Sequence, residues 1–412
     1  MTSTTGKTPM PMALPLLPSE LYRNIIDSLD YLRERRTLLC LALVSNAWCV
    51  ESQRVLFRTV CDDSTDLNER ECLIHAHTLF LKAIILNPSR LGSYVQIYRQ
   101  RELICHPSLA TSLDARSPIT STSLYLWDLT AQALPALVNL KHLDILPLQD
   151  GRRILRASLL EGCTFKLETL RWGFESYDPG SDDPFVKFLG TQHELYHLEV
   201  GSEPSRQDLS WIPDDVCPSL ISASCRLDSA AHMAARRNVV GLTLWSDWYS
   251  LEPVPQRDLS ALRHLKYLSI SAHRDLMSNW VAVDSNLVLL ELTSGAYIEP
   301  KSLPILPKLR VVAFILAARG APLATLPGHT NMDVKTEYRR RIQLAIDSFH
   351  RFPVLECVIS EDMRRGNGPR LYRKMTISGI GAGPPGATLE VQSEEFPNEH
   401  ELGLPWWTVY GV

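Results

Sequence analysis

The sequence predicts an α/β protein in two parts, a short N-terminal helical module followed by a long, irregular array of strand-bearing repeats. Three observations lead there. Apolar residues recur at helical spacing between Leu17 and Val60. From Leu140 onward a Leu-x-x-Leu-x-apolar unit returns at intervals of 19 to 28 residues. Hydrophobic residues make up 45% and charged residues 21% of the 412, the balance of a chain that folds around a core.

The helical module is expected over 15–60, behind a flexible tail at 1–14 rich in Thr, Ser, Met and Pro. Pro18 suits a first helical position, where its missing N–H has no partner to lose. Leu21, Ile25 and Leu29 follow at four-residue spacing and form one apolar stripe. After the charged linker DYLRERRT, the run Leu38 to Val44 is apolar on nearly every face. Ser45 and Asn46 break that run and cap a third helix carrying Trp48, Val55 and Leu56. Three short helices in about 45 residues cannot bury so much apolar surface alone. The stretch LALVSNAWCVESQRVLFRTV therefore predicts a covering partner.

LLPSELYRNIIDSL followed by TLLCLALVSNAW resembles the F-box, the module that docks on the Skp adaptor of cullin–RING ubiquitin ligases. The resemblance rests on Leu17-Pro18, Glu20-Leu21, Ile25-Ile26, Leu29, Leu38-Leu39, Leu41, Val44-Ser45 and Trp48; SQRVLFRTV is similar to the module's tail in fungal members. Thr37 stands where an acidic residue is common, which touches a cap and not the docking face. The resemblance implies adaptor binding through Leu17, Pro18, Leu21, Ile25, Leu29, Leu41, Val44 and Trp48.

Residues 61–361 are expected to hold a helical linker and the repeats. The second apolar position of each unit falls at Leu143, Leu170, Leu198, Ala223, Leu242, Leu268, Leu290 and Val312. The intervals of 27, 28, 25, 19, 26, 22 and 22 residues sit around the period of about 20–29 residues typical of leucine-rich repeats. The array so resembles the divergent leucine-rich-repeat solenoids of fungal-type F-box proteins, with Val95-Ile97 and Leu124-Leu126 as earlier, degenerate members. Each repeat contributes a short strand and needs its neighbours to close its core. The residue between the paired apolar positions is expected on an exposed face, giving the column Asp144, Arg171, Glu199, Ser224, Thr243, Ser269 and Glu291, with His142, His197, Trp245 and Tyr267 beside it. From these come the expected target-binding residues Asp144, Arg171, Glu199, Trp245, Tyr267 and Glu291.

NERECLIHAHTLFLKAIIL reads as a helix leading into the first repeat and VKTEYRRRIQLAIDSFHRF as one feeding a last strand near Val358-Ile359. The second is expected to bury Val334, Tyr338, Ile342, Ala345 and Phe349 and to leave Arg339–Arg341 solvated. Residues 362–412 read as a hairpin around Gly379, Gly381, Gly383 and Gly386, then a tail whose Trp406-Trp407 pair caps the array.

Other chemistry finds little support. A net charge of −4 favours neither nucleic acid nor anionic lipid. Nine cysteines without framework or metal-ligand spacing suggest reduced thiols in the cytoplasm or nucleus. Prolines break the apolar run of the first 18 residues, which makes it a poor signal peptide, and no window reads as a membrane span. His193-Glu194-x-x-His197 matches the zinc-protease pattern literally, but that chemistry needs one helical face, and Leu195 and Leu198 place the segment in a strand. Pro384 and Pro385 remove donors that a phosphate loop needs. No metal site and no cofactor are expected.

The resemblance implies a non-catalytic substrate receptor of an SCF-type (Skp-cullin-F-box) ligase, partnered by the Skp adaptor, the cullin scaffold and an unidentified target protein. Two alternatives stand beside it: an adaptor-binding protein with no cullin-ligase role, and a zinc hydrolase built on His193, Glu194 and His197.

Overall fold

The computed structural model describes residues 17–29, 34–60, 70–101, 118–146, 157–173, 183–200, 209–245, 260–271, 286–293, 300–315, 334–362, 371–378 and 390–396. The chain divides into two compact units after Thr59.

The first unit holds helices α1 (Ser19–Asp27), α2 (Arg35–Leu41) and α3 (Asn46–Leu56). Pro18 stands one residue outside α1 as its N-cap, with φ −52° and ψ 142°, and its carbonyl accepts from Leu21 N at 3.0 Å. Helix α2 starts and stops about one turn before the apolar run does. Ala42–Val44 form a turn closed by short-range bonds, Leu43 N to Cys40 O at 3.1 Å and Val44 N to Leu41 O at 3.0 Å. Ser45 then caps α3, its hydroxyl accepting from Trp48 N at 3.5 Å. The core of this unit is Ile26, Leu38 and Val55, flanked by half-buried Leu29, Leu41, Trp48 and Leu56. Trp48 meets Tyr22 edge to face at 4.8 Å. Arg54 bridges Asp27 at 2.6 Å and Glu51 at 2.8 Å, tying α1 to α3.

The second unit is a mixed α/β layer built on one open sheet. Helix α4 (Arg70–Leu86) precedes strand β1 (Ile97–Arg101), and α5 (Pro118–Ala133) leads to β2 (His142–Leu146). β3 (Thr169–Trp172), α6 (Pro184–Gly190), β4 (His197–Val200), β5 (Ser222–Arg226), α7 (Leu227–Arg236) and β6 (Gly241–Trp245) follow. Then come β7 (Tyr267–Ser271), β8 (Leu289–Thr293), β9 (Val311–Ile315), α8 (Val334–Arg351), β10 (Cys357–Asp362), β11 (Leu371–Ser378) and β12 (Glu390–Phe396). β1 to β10 are parallel and paired in sequence order; β11 and β12 close the series as an antiparallel hairpin on β10. That pairing bears out the expected hairpin, whose glycines lie outside the described residues, as does Trp406-Trp407.

Register runs without offset, so Ile97, His142, Thr169, His197, Ser222, Gly241, Tyr267, Leu289, Val311 and Cys357 form the first position of one lattice. One junction repeats between every two parallel strands. The carbonyl just before a strand accepts two successive N–H groups of the next: Gln96 O from Lys141 and His142, Lys141 O from Glu168 and Thr169, and so on to Arg310 O from Glu356 and Cys357. Even positions carry the repeat's leucines. From Tyr98 through Leu143, Leu170 and Leu268 to Val358, the second position is at most 2% exposed. At about 1.5–3 kcal/mol per fully buried large aliphatic side chain, this column is a principal source of stability.

Two sequence expectations change here. Leu124-Leu126 belongs to α5 and not to a strand, because Leu126, Leu129, Thr130 and Ala133 recur at helical spacing and are buried. In α8 the buried face is Arg341, Leu344, Ala345 and Ser348, while Tyr338 is 48% exposed and Ile342 and Phe349 are half-buried. The buried stripe is thus rotated from the one expected, and Arg341 leaves the solvated face.

Gly92 is required by close approach: a Cβ there would overlap the Ala136 carbonyl oxygen. Gly190 has open space around it. Gly92→Ala should cost about 1–3 kcal/mol in a denaturant melt, the usual range for overpacking, and Gly190→Ala, at a helix C-terminus with room for a methyl, should not.

Candidate functional site

The first candidate surface lies on the helical unit. Leu17, Leu21 and Ile25 are 43–44% exposed along α1, and Val44 is 65% exposed in the turn after α2. Pro18 is exposed beside them. Leu29, Leu41 and Trp48, expected on the same face, instead line the small core and are only half exposed to solvent. Three residues outside the expected set join the exposed apolar group: Leu39 at 51%, Leu43 at 87% and Val50 at 40%. Leu43 stands in the turn after α2 and not on the helix expected to run to Val44. A unit whose core is three side chains leaves more large apolar groups in water than it buries, the composition of a binding face.

The second candidate is the odd-position face of the sheet. The third positions of β1 to β4 are Arg99, Asp144, Arg171 and Glu199, opposite one another in the ladder. Charge alternates at every step. Arg99 Nε lies 3.2 Å from Asp144 Oδ2, Arg171 Nη1 3.8 Å from the same oxygen, and Arg171 Nε 3.2 Å from Glu199 Oε2. Ser224 Oγ donates to Glu199 Oε2 at 3.4 Å. The first positions pair as well, His142 Nδ1 with Thr169 Oγ1 at 2.9 Å and His197 Nδ1 with Ser222 Oγ at 2.6 Å. Further along, Glu291 accepts from Tyr267 Oη at 3.1 Å and from Ser269 Oγ at 3.0 Å.

The expected exposed column is therefore buried. Arg99, Asp144, Arg171, Glu199, Ser224, Ser269 and Glu291 are 1–6% exposed, Tyr267 is 5%, and Thr243 is half-buried. The side chain of Trp245 lies outside the described residues. The structure brings Asp144, Arg171 and Glu199 into one ladder and Tyr267 and Glu291 into another contact. It adds Arg99, missed because Tyr98 and Gln100 replace the leucines that mark the other strands. A narrow recess over Tyr98, Arg99, His142, Asp144, Thr169 and Arg171 has about 10 Å³ of space for water-sized molecules, far below the roughly 300–1,000 Å³ of ordinary small-molecule sites.

His193 and Glu194 are exposed on the turn before β4, and His197 is the buried first residue of that strand. The segment turns at His193-Glu194 and is strand only from His197, where an extended run was expected throughout; the two imidazoles share no helical face. Among the described residues no group of three or more His, Cys, Asp or Glu is placed to hold a metal ion, and no helix is long and apolar enough to cross a membrane.

One buried titratable group was also missed. His77 is 5% exposed on α4, and its Nε2 is 2.8 Å from Tyr98 Oη, which donates to Gln100 Oε1 at 2.7 Å. Burial pushes the His77 imidazole down to about 4. His75, two residues away, is exposed, so the pair shares no ligand.

No known protein family matches this chain, and no curated protein matches it in sequence.

Two outcomes follow from these buried groups. Arg171 lies between two buried carboxylates, so Arg171→Ala should destabilise by about 3–5 kcal/mol, and adding Asp144→Asn and Glu199→Gln should recover part of that loss in a denaturant melt. For His77, the folded value lies below the unfolded one, so its contribution is complete above about 6.5 and lost as pH falls toward about 4. Between pH 7.5 and 5 the wild type should lose about 2 kcal/mol more stability than His77→Gln, at about 1.4 kcal/mol per unit below 6.5.

Proposed function

We propose that this protein is the substrate-recognition subunit of an SCF-type ubiquitin ligase, its helical unit docking on the Skp adaptor and its sheet-bearing unit holding a target protein. The observation that carries the reading is the exposed apolar set Leu17, Leu21, Ile25, Leu43 and Val44 on a unit with a three-residue core, in the segment that resembles an F-box. The divergent leucine-rich-repeat solenoid of the same reading is supported by the unbroken parallel order, the zero-offset register and the junction that recurs between neighbouring strands. In such a subunit the contribution is proximity and not bond chemistry: it raises the effective concentration of the target near a ubiquitin-charged enzyme. A reducing, cytoplasmic or nuclear setting belongs to this reading, and Cys40, Cys49, Cys163, Cys217, Cys225 and Cys357 are free thiols.

Because Leu21, Ile25 and Val44 are exposed in the free chain, they can be changed without opening its core. Leu21→Asp/Val44→Asp should abolish co-purification with a co-expressed Skp adaptor while leaving the thermal melt unshifted. Wild-type chain that fails to bind, or a variant that binds equally well, refutes adaptor docking. Adaptor bound without any cullin in the same pull-down would favour the adaptor-only alternative.

A further inference from the structure

We propose that the edge where the chain enters β7, β8 and β9 is a docking site for an acidic, apolar-bearing segment of a partner protein, with Lys266 as its central contact. The residues just before the strands form a column along this edge, because each junction carbonyl bonds the residue in the same place on the next strand. Val240 O takes Lys266 N, Lys266 O takes Val288 N and Val288 O takes Arg310 N, each at 2.8 Å. Other cations of the column bond a glutamate on the following strand. Lys141 Nζ meets Glu168 Oε1 at 2.5 Å, and Arg310 meets both oxygens of Glu356 at 2.6 and 2.9 Å. Lys266 is the exception. It is exposed, its successor in the column is Val288, and among the described residues its ammonium has no hydrogen bond or ion pair.

The surroundings add positive charge without adding a carboxylate for it. Arg263 and His264 are exposed in the turn that enters β7, and their side chains are likewise unbonded among the described residues. Asn286 draws the neighbouring turns together, its Nδ2 donating to Arg263 O at 3.0 Å and its Oδ1 accepting from Lys308 Nζ at 2.5 Å. Arg263, Lys266 and Lys308 thus share one edge, and a single amide oxygen serves their charges. One exposed pair would contribute little, but several like charges on one patch set up a field that an anionic segment follows. What lies between the charges selects the occupant. Val240 and Val288 flank Lys266 and are half-buried, and Ile305, three residues before Lys308, is 62% exposed. A phosphate backbone makes its contacts through charge and has nothing to lay on valines, whereas a peptide with carboxylates around apolar side chains matches both. Lys266 and Lys308 approach strands two ladders apart, about 10 Å, which three extended residues span. The segment so read carries acidic residues three apart with apolar ones between them. This gives the target-holding half of the function proposed above a place and a chemistry, and it rests on that half alone.

The probe is a fluorescent ten-residue peptide of Gly and Ser with Glu-Val-Leu-Glu at its centre, titrated with the intact chain and read by anisotropy. Wild type should bind saturably, and Lys266→Glu should weaken binding about tenfold or more. Val288→Glu should do the same without removing a cation, because it supplies on β8 the glutamate that Lys141 and Arg310 already have. Lys166→Glu, the same charge reversal on the approach to β3, should change binding less than about twofold, since solvent screens it at that distance. The proposal falls if wild type does not bind, if a Gln-Val-Leu-Gln peptide binds as well, or if Lys166→Glu weakens binding as much as Lys266→Glu. It falls too if an oligothymidylate of equal length binds more tightly with the same dependence on Lys266, because the edge is then a polyanion site. Adaptor co-purification reports on the helical unit, so a chain that holds the adaptor and ignores the peptide loses this site and keeps its docking.

Discussion

The second unit depends on one small contact, the carbonyl before each strand that accepts two successive N–H groups from the next. Gln96, Lys141, Glu168 and Tyr196 provide it in the first half of the sheet, and Val240, Lys266, Val288 and Arg310 in the second. It satisfies backbone donors at the turn, where they would otherwise be buried without partners. It also fixes where the next strand starts. Because the same contact recurs, position n of one strand always meets position n of its neighbour. A shift by one residue would exchange the two faces of a strand and break the contact at both ends.

Stacking in columns then dictates which side chains are tolerated. Parallel strands about 4.8 Å apart put like positions in direct contact, so a column of buried charges is tolerated only where the sign alternates. The second positions are apolar throughout, and the third positions of β1 to β4 alternate in charge. Arg99, Asp144, Arg171 and Glu199 are each too buried to be hydrated, and each meets an opposite charge on a neighbouring strand. An isolated buried ion pair seldom repays its desolvation, and its retention is better explained by register than by stability. Here register is already set by the junction carbonyls. The ladder acts as a second check, since a strand slipped by one residue would set Arg171 opposite Leu198 or Val200 and leave buried charges without their partners.

Much of this was legible because the leucines that mark each strand are also the residues that must be buried. Eight strand registers follow from Leu143 to Val312 without any structure. The first strand was expected at Val95-Ile97 but out of register, since the positions opposite Leu143 and Ile145 are Tyr98 and Gln100, which pack with His77 and Thr130 in a polar network that no leucine count detects. Leu124-Leu126 misled for the opposite reason, a Leu-x-Leu pair being equally at home on a helix. The odd positions were assigned correctly to one face but wrongly to solvent. Alternation reports which side of a sheet a residue takes, and it is silent on whether another layer lies over that side. On the helical unit, spacing found Leu21 and Ile25 of the exposed stripe but added Leu29, which packs on the core. The resemblance supplied Leu17 correctly and put Trp48 outside, where the structure packs it against the small core.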